Sequence, residues 1–151
     1  MAEFQDRYQR SGQDPVAIAE IRKLWQRAKE EAGGLSELAK AEDLVNWARS
    51  LARDIEEFDL KSPQLRRIIS EMKCLEVSVR KRGAKEPIPE AELAEIVFLR
   101  PYMAYAARRY SRLRVLRRFL DHCFDPVMLK TGKDLLALAK FLNSLVAYVQ
   151  S

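Results

Sequence analysis

Seven arginines fall between Leu99 and Leu120, at positions 100, 108, 109, 112, 114, 117 and 118, and that stretch holds no acidic residue. A guanidinium stays charged at any physiological pH and presents a fork of N–H donors that matches phosphate and carboxylate oxygens. Two chemistries suit such a run: following the phosphates of a nucleic acid, or docking on an acidic protein surface. A second basic stretch runs from Lys61 to Lys85. There, eight lysines and arginines accompany Glu71 and Glu76, a net +6 beside the +7 of Arg100 to Arg118. The whole chain carries only +5, so the remainder is acidic and the positive charge is concentrated in two segments.

Other chemistry is thinly provided. His122 precedes Cys123, but neighbouring side chains on a helix point about 100° apart, so the two do not converge as base and nucleophile, and His122 reads as structural. Asp54, Glu56, Glu57 and Asp59 cluster without a second set of ligands. That cluster suits a solvated helix end, or a counter-surface for basic side chains, better than a metal. Glu90, Glu92 and Glu95 fit the positive end of a helix dipole. There is no phosphate-cradling glycine loop, nucleotide fingerprint or zinc-ligand spacing. The expectation is no catalytic residue, no metal and no cofactor. Cys74 and Cys123 lack close spacing and read as reduced core fillers on apolar helix faces. No apolar run approaches the roughly 20 residues of a membrane span, and Met1 to Gln13 is polar, which predicts a cytoplasmic protein without a membrane partner.

These side chains need a scaffold, and the hydrophobic period is helical almost throughout. Residues 1–13 read as a flexible leading segment and 14–151 as one helical domain. Asp14 as cap, Pro15 as first helical residue and Gly33-Gly34 as stop predict a helix over 15–32. Ser36 caps a second, reaching Glu57, with Leu38, Leu44 or Val45, Ala48, Leu51 or Ala52, and Ile55 on one face. Ser62-Pro63 opens a third, striped by Leu65, Ile68, Ile69, Met72, Leu75 and Val79, which ends before the loop Arg82 to Pro89. Ile96, Leu99, Met103, Ala106, Tyr110, Leu113, Leu116 and Leu120 then recur at steps of three and four. They predict one long helix, or two joined near Ser111. A last helix spans 132–149 with Leu135, Leu138 or Ala139, Leu142, Leu145 or Val146, and Val149 as its stripe. No strand pattern competes, so the fold class is all-α, a compact bundle of five to six helices.

On a helical wheel Arg100, Arg108, Arg109, Arg112 and Arg118 lie opposite the Leu99–Met103–Tyr110–Leu113 stripe. Arg114 and Arg117 fall nearer its edge, where their heads can meet carboxylates of another helix or subunit. In the third helix Arg66, Lys73 and Arg80 repeat every seven residues, and Arg67 and Lys81 stand two heptads apart, a basic track roughly 20 Å long. Charged faces that are merely solvated usually mix both signs through i,i+4 pairs, and these do not, which favours an anionic partner. Without helix-turn-helix spacing or a zipper to position a recognition helix, backbone contact fits better than base reading. Tyr102, Tyr105 and Tyr110 interleave with the arginines and either stack on bases or belong to the core.

The run Leu60 to Glu76, LKSPQLRRIISEMKCLE, resembles the Ser/Thr-x-x-[Ile/Leu]-Arg signature of the small subunit of type III-A CRISPR interference complexes, the Csm complexes. LAEIVFLRPYMAYAARR (Leu93 to Arg109) is similar to that family's Leu-x-x-x-x-Ala-Tyr segment, and FLNSLVAYVQ (Phe141 to Gln150) to its Leu-Val-Ala-Tyr ending, in the same order. The resemblance implies a non-catalytic, all-helical subunit that stacks in several copies as a minor filament. In that family, this filament and the backbone subunits cradle CRISPR RNA and target RNA, and other subunits cleave. Carried onto this chain, the signature arginine is Arg66, with Arg67 beside it, and the basic long-helix surface is Arg108, Arg109 and Arg112. With Lys73 and Arg80, these residues are the expected single-stranded RNA contacts. Partners are then the other effector subunits and further copies of the chain, in a filament or, when isolated, a homodimer. The acidic stretch Glu30 to Asp59 would meet a basic surface on the next copy. The alternatives are a protein-only helical interaction module and the equivalent small subunit of a type III-B complex.

Overall fold

Helices break here at a proline, at a glycine of positive φ and at residues with extended backbone. The computed structural model describes residues 15–150, which form α1 (Val16–Glu30), a one-turn α2 (Leu35–Leu38), α3 (Ala41–Ala52), α4 (Pro63–Arg82), α5 (Glu90–Val97), α6 (Leu99–Arg109), α7 (Arg114–Cys123) and α8 (Gly132–Gln150). Tight 3-10 turns cover Glu57–Lys61, Ser111–Leu113 and Pro126–Met128. The all-α class holds, and no strand occurs among the described residues. The expected segment 1–13 and the cap at Asp14 lie outside them.

Among the described residues the helix count is seven beyond the single turn of α2, not five to six. Two expected helices are subdivided. Pro101 has no N–H to donate to the Val97 carbonyl and its ring crowds that carbonyl, so α5 closes at Val97 and α6 restarts through Phe98. At Tyr110 the backbone extends (φ −120°, ψ 95°), which separates α6 from α7 where a joint near Ser111 was one of the two readings. The second expected helix becomes α2 and α3, parted by extended Ala39 and Lys40, and α3 stops at Ala52 rather than Glu57. Pro15 takes the capping position itself, so α1 begins one residue later than expected.

Two expected signals act as read. Ser62 caps α4, its hydroxyl accepting from the Leu65 N–H at 3.3 Å with Pro63 at the first helical position. Gly83 closes α4 at φ +113°, a conformation that excludes most side chains. Ser36 behaves differently from the expected cap. Its N–H and hydroxyl donate to Oδ1 of Asp134 at 2.7 and 2.6 Å, while Oδ2 accepts from the N–H groups of Lys130 and Thr131 at 2.8 and 3.0 Å. Asp134 is buried, and these four donors offset the cost of removing its carboxylate from water.

The core gathers around α8, which packs on α3 and α4, while α7 bridges α1 and α6. Phe119 of α7 stacks on Phe141 of α8 at 4.7 Å and meets Trp47 of α3 edge-on at 5.6 Å, all three buried. Each such side chain contributes about 1.5–3 kcal/mol through burial, which fixes α7, and with it the arginine run, against the bundle.

Contacts between α4 and the α5–α6 arm occur in reversed chain order. Arg82 meets Glu92 at one end, Arg67 lies over Tyr102, and Phe58 before α4 meets Tyr110 after α6. The arm therefore runs antiparallel to α4 and brings the two basic segments alongside each other. The intervening loop is pinned to α8 by the Gly132 N–H donating to the Glu86 carbonyl at 3.0 Å. A Cβ on Gly132 would lie 2.6 Å from Val79 Cγ1, so only glycine permits this approach without rearrangement.

Candidate nucleic-acid interface

On α4 the residues Leu65, Ile68, Met72, Leu75 and Val79 are buried, and Arg66, Arg67, Lys73 and Arg80 are exposed as expected. They do not form one track. A step of about 100° per residue divides them into a line of Arg66, Lys73 and Arg80 and a second of Arg67 and Lys81. The second faces α6: the Arg67 guanidinium sits 4.9 Å above the Tyr102 ring. In the first, Arg80 is paired with Glu76 at 3.0 Å. Cys74 shares the exposed side, one position before buried Leu75, and is therefore not the core filler expected.

The α6–α7 corner is concentrated instead. Arg108 and Arg109 end α6 exposed, and Arg112 is exposed on the turn that follows. Between the two helices lies an open groove of about 430 Å³ lined by Ala104, Ala107, Arg108, Arg114, Arg117 and Arg118. Two alanines three residues apart leave room on α6, and the lining includes four guanidiniums and no carboxylate. Arg117 reaches Asp121 on its own helix at 3.2 Å. Arg114 and Arg117 are exposed and Arg118 is half-buried, the reverse of the wheel's prediction. The extended backbone at Tyr110 resets the helical phase, so a wheel drawn through it misplaces Arg114, Arg117 and Arg118, while Arg112, on the turn itself, is exposed as expected.

Arg112 has a partner that no local pattern announces. Its guanidinium pairs with the Glu56 carboxylate, and both side chains remain largely exposed. The hydrogen bond from Arg112 to Glu56, reinforced by the carboxylate's charge, raises the guanidinium above its already high ordinary pKa, so it stays a cation. The acidic cluster thus serves, at Glu56, as a counter-surface within the same chain. Buried Asp59 accepts from the Glu56 N–H at 2.8 Å and orders the turn that presents Glu56.

The remaining candidates for chemistry are structural. His122 places Nδ1 3.0 Å from the Arg118 carbonyl and its ring edge-on to Trp25, with centroids 5.4 Å apart. Cys123 is buried, and burial pushes its thiol pKa well up, against nucleophilic use. Glu90 and Glu92 do open α5, and Glu92 additionally holds Arg82 through two hydrogen bonds of 2.9 and 3.1 Å. No group of three or more potential metal ligands gathers among the described residues.

Arg114, Arg117 and Arg118 line the groove without being among the expected contacts, although Ala104 and Ala107 after Pro101 mark a thin, broken helix face. Phe98, outside every expected site, is 68% exposed between buried Ile96 and Leu99.

Fold and surface together define a small all-helical protein whose arginines converge at a helix corner. No helix among the described residues is long and apolar enough to cross a membrane. A sequence model of the family described as Csm2 Type III-A matches residues 38–151, and the chain belongs to that family, the small subunits of the multi-subunit type III-A CRISPR (Csm) complexes. The match covers α3 to α8 and the three runs Leu60 to Glu76, Leu93 to Arg109 and Phe141 to Gln150. No curated protein and no solved structure matches the chain.

Proposed function

We propose that this small subunit binds single-stranded RNA through its backbone, without reading sequence and without catalysing a reaction, and so helps hold CRISPR RNA and target RNA within the effector. The observation that carries this reading is the α6–α7 groove, whose lining includes four arginines and no carboxylate. It lies on a helix that also borders the Arg67 line of α4. Forked cations around an open groove suit a chain of phosphates that passes through, whereas a small-molecule site would be more enclosed and more apolar. Arg66, Lys73 and Arg80 extend the charge along the other flank of α4.

Copies of the subunit associate in a filament. Exposed Glu42, Asp54 and Glu57 supply the acidic side of a head-to-tail contact and the arginine-rich faces the basic side.

Fluorescence anisotropy with unrelated single-stranded RNA sequences tests the reading. Equal affinities are expected, with three to four phosphates contacted. From a slope near −0.7 per phosphate, binding then weakens roughly 20- to 50-fold between 50 and 200 mM salt. Absence of binding at low salt would overturn it and leave the arginines as protein-docking groups.

A further inference from the structure

The aromatic side chains of the α5–α6 arm are of two kinds. Tyr102 is half-buried under Arg67, and Tyr110 is half-buried against Phe58 at 5.8 Å. Tyr105 and Phe98 are 53% and 68% exposed, and neither has a ring or cation–π partner among the described residues. Phe98 is the N-cap of α6 with a right-handed helical backbone (φ −69°, ψ −10°), and Tyr105 follows seven residues on, which puts the two on about the same side of the helix and roughly 10 Å apart along its axis. Arg108 and Arg109 follow on the same helix, about 60° to one side of Tyr105 and about 40° to the other.

We propose that Phe98 and Tyr105 form a stacking platform for unpaired bases of single-stranded RNA, while the phosphates run past Arg108 and Arg109. The proposal rests on the RNA reading above and adds a base contact to it. Two exposed rings flanked by cations offer π-faces and phosphate partners together. An apolar protein surface laid on the same strip would strand the guanidiniums of Arg108 and Arg109 beside it without carboxylates from this stretch of chain. The rings stand farther apart than the step of about 3.4 Å between stacked bases, so each takes its own base. Every base has a π-face, so the platform holds bases without selecting a sequence.

The test compares wild type with Phe98→Ala/Tyr105→Ala at low salt, using a short oligouridine and an abasic ribose-phosphate oligomer of equal length. Wild type is expected to bind the oligouridine at least about 30-fold more tightly than the abasic strand, from about 1 kcal/mol or more per stacked base, and the variant to bind both at the abasic level with an unchanged salt slope. Equal binding of both strands by wild type, or a preference retained by the variant, would overturn the platform and leave phosphate following intact. Failure of wild type to bind either strand would overturn the RNA reading itself. Phe98→Leu/Tyr105→Leu keeps the apolar bulk and is expected to match the alanine variant. If it restores the preference, the rings are not stacking. A defect confined to assembly with other subunits would make the strip a protein contact and also overturn the platform.

Discussion

α4 and the α6–α7 corner carry similar positive charge and arrange it in opposite ways. In α4 the 20 residues from Pro63 to Arg82 run without interruption. Heptad spacing therefore lays the cations out as two diverging lines, tempered by Glu76 and by the Tyr102 ring. Between α6 and α7 the helix is broken at Tyr110, and the bend folds Arg108, Arg114, Arg117 and Arg118 around one groove. Charge density on a helical surface depends on where the backbone breaks as much as on how many arginines it carries. A continuous helix through 99–120 would have spread the same residues into a stripe.

The bend is therefore the first thing to break. Leu113 sits fully buried in the turn that makes it, and Leu113→Ala is expected to cost about 3 kcal/mol in denaturant unfolding. A loss under about 1 kcal/mol would mean that the turn is not anchored in the core. Next in size, Arg108→Ala/Arg114→Ala removes two groove cations. It should weaken single-stranded RNA binding about tenfold at 50 mM salt and flatten the logarithmic salt slope by about 1.4. Arg66→Ala/Lys73→Ala, on the diverging line, is expected to cost only about threefold; a loss equal to the groove variant's would erase the distinction between the regions. The smallest effect runs the other way. Glu56→Gln frees Arg112 from its carboxylate and should tighten RNA binding about twofold, because exposed ion pairs exchange partners readily. Weaker binding of that variant in the same titration would mean that Glu56 is needed to hold Arg112 in place.

Much of the frame was legible because it is local. Ser62-Pro63, Gly83 and the stripe of α4 obey capping and periodicity rules that act within a turn or two. The all-α class and the exposure of all seven expected arginines and lysines follow from the same periodicity. The break at Phe98 was equally local, since Pro101 stands in plain view within the arginine run, but the apolar steps on both sides hid it. What was not legible depends on tertiary placement. The Glu56–Arg112 pair, the donors of Ser36 to Asp134 and the groove itself join residues whose spacing carries no signal. Cys74 and Phe98 were misjudged or passed over because hydrophobic type was read without the phase of the surrounding helix.

The most direct measurement is a salt series of single-stranded RNA anisotropy on three proteins: wild type, the Arg108→Ala/Arg114→Ala variant and the Arg66→Ala/Lys73→Ala variant, each with oligoadenine and oligouridine. Wild type should lose affinity steeply with salt and equally for both sequences, the groove variant should bind most weakly with the flattest slope, and the α4 variant should lie between. A groove variant that binds as wild type does, at every salt concentration, would contradict the claim that the bend between α6 and α7 builds the phosphate-following surface.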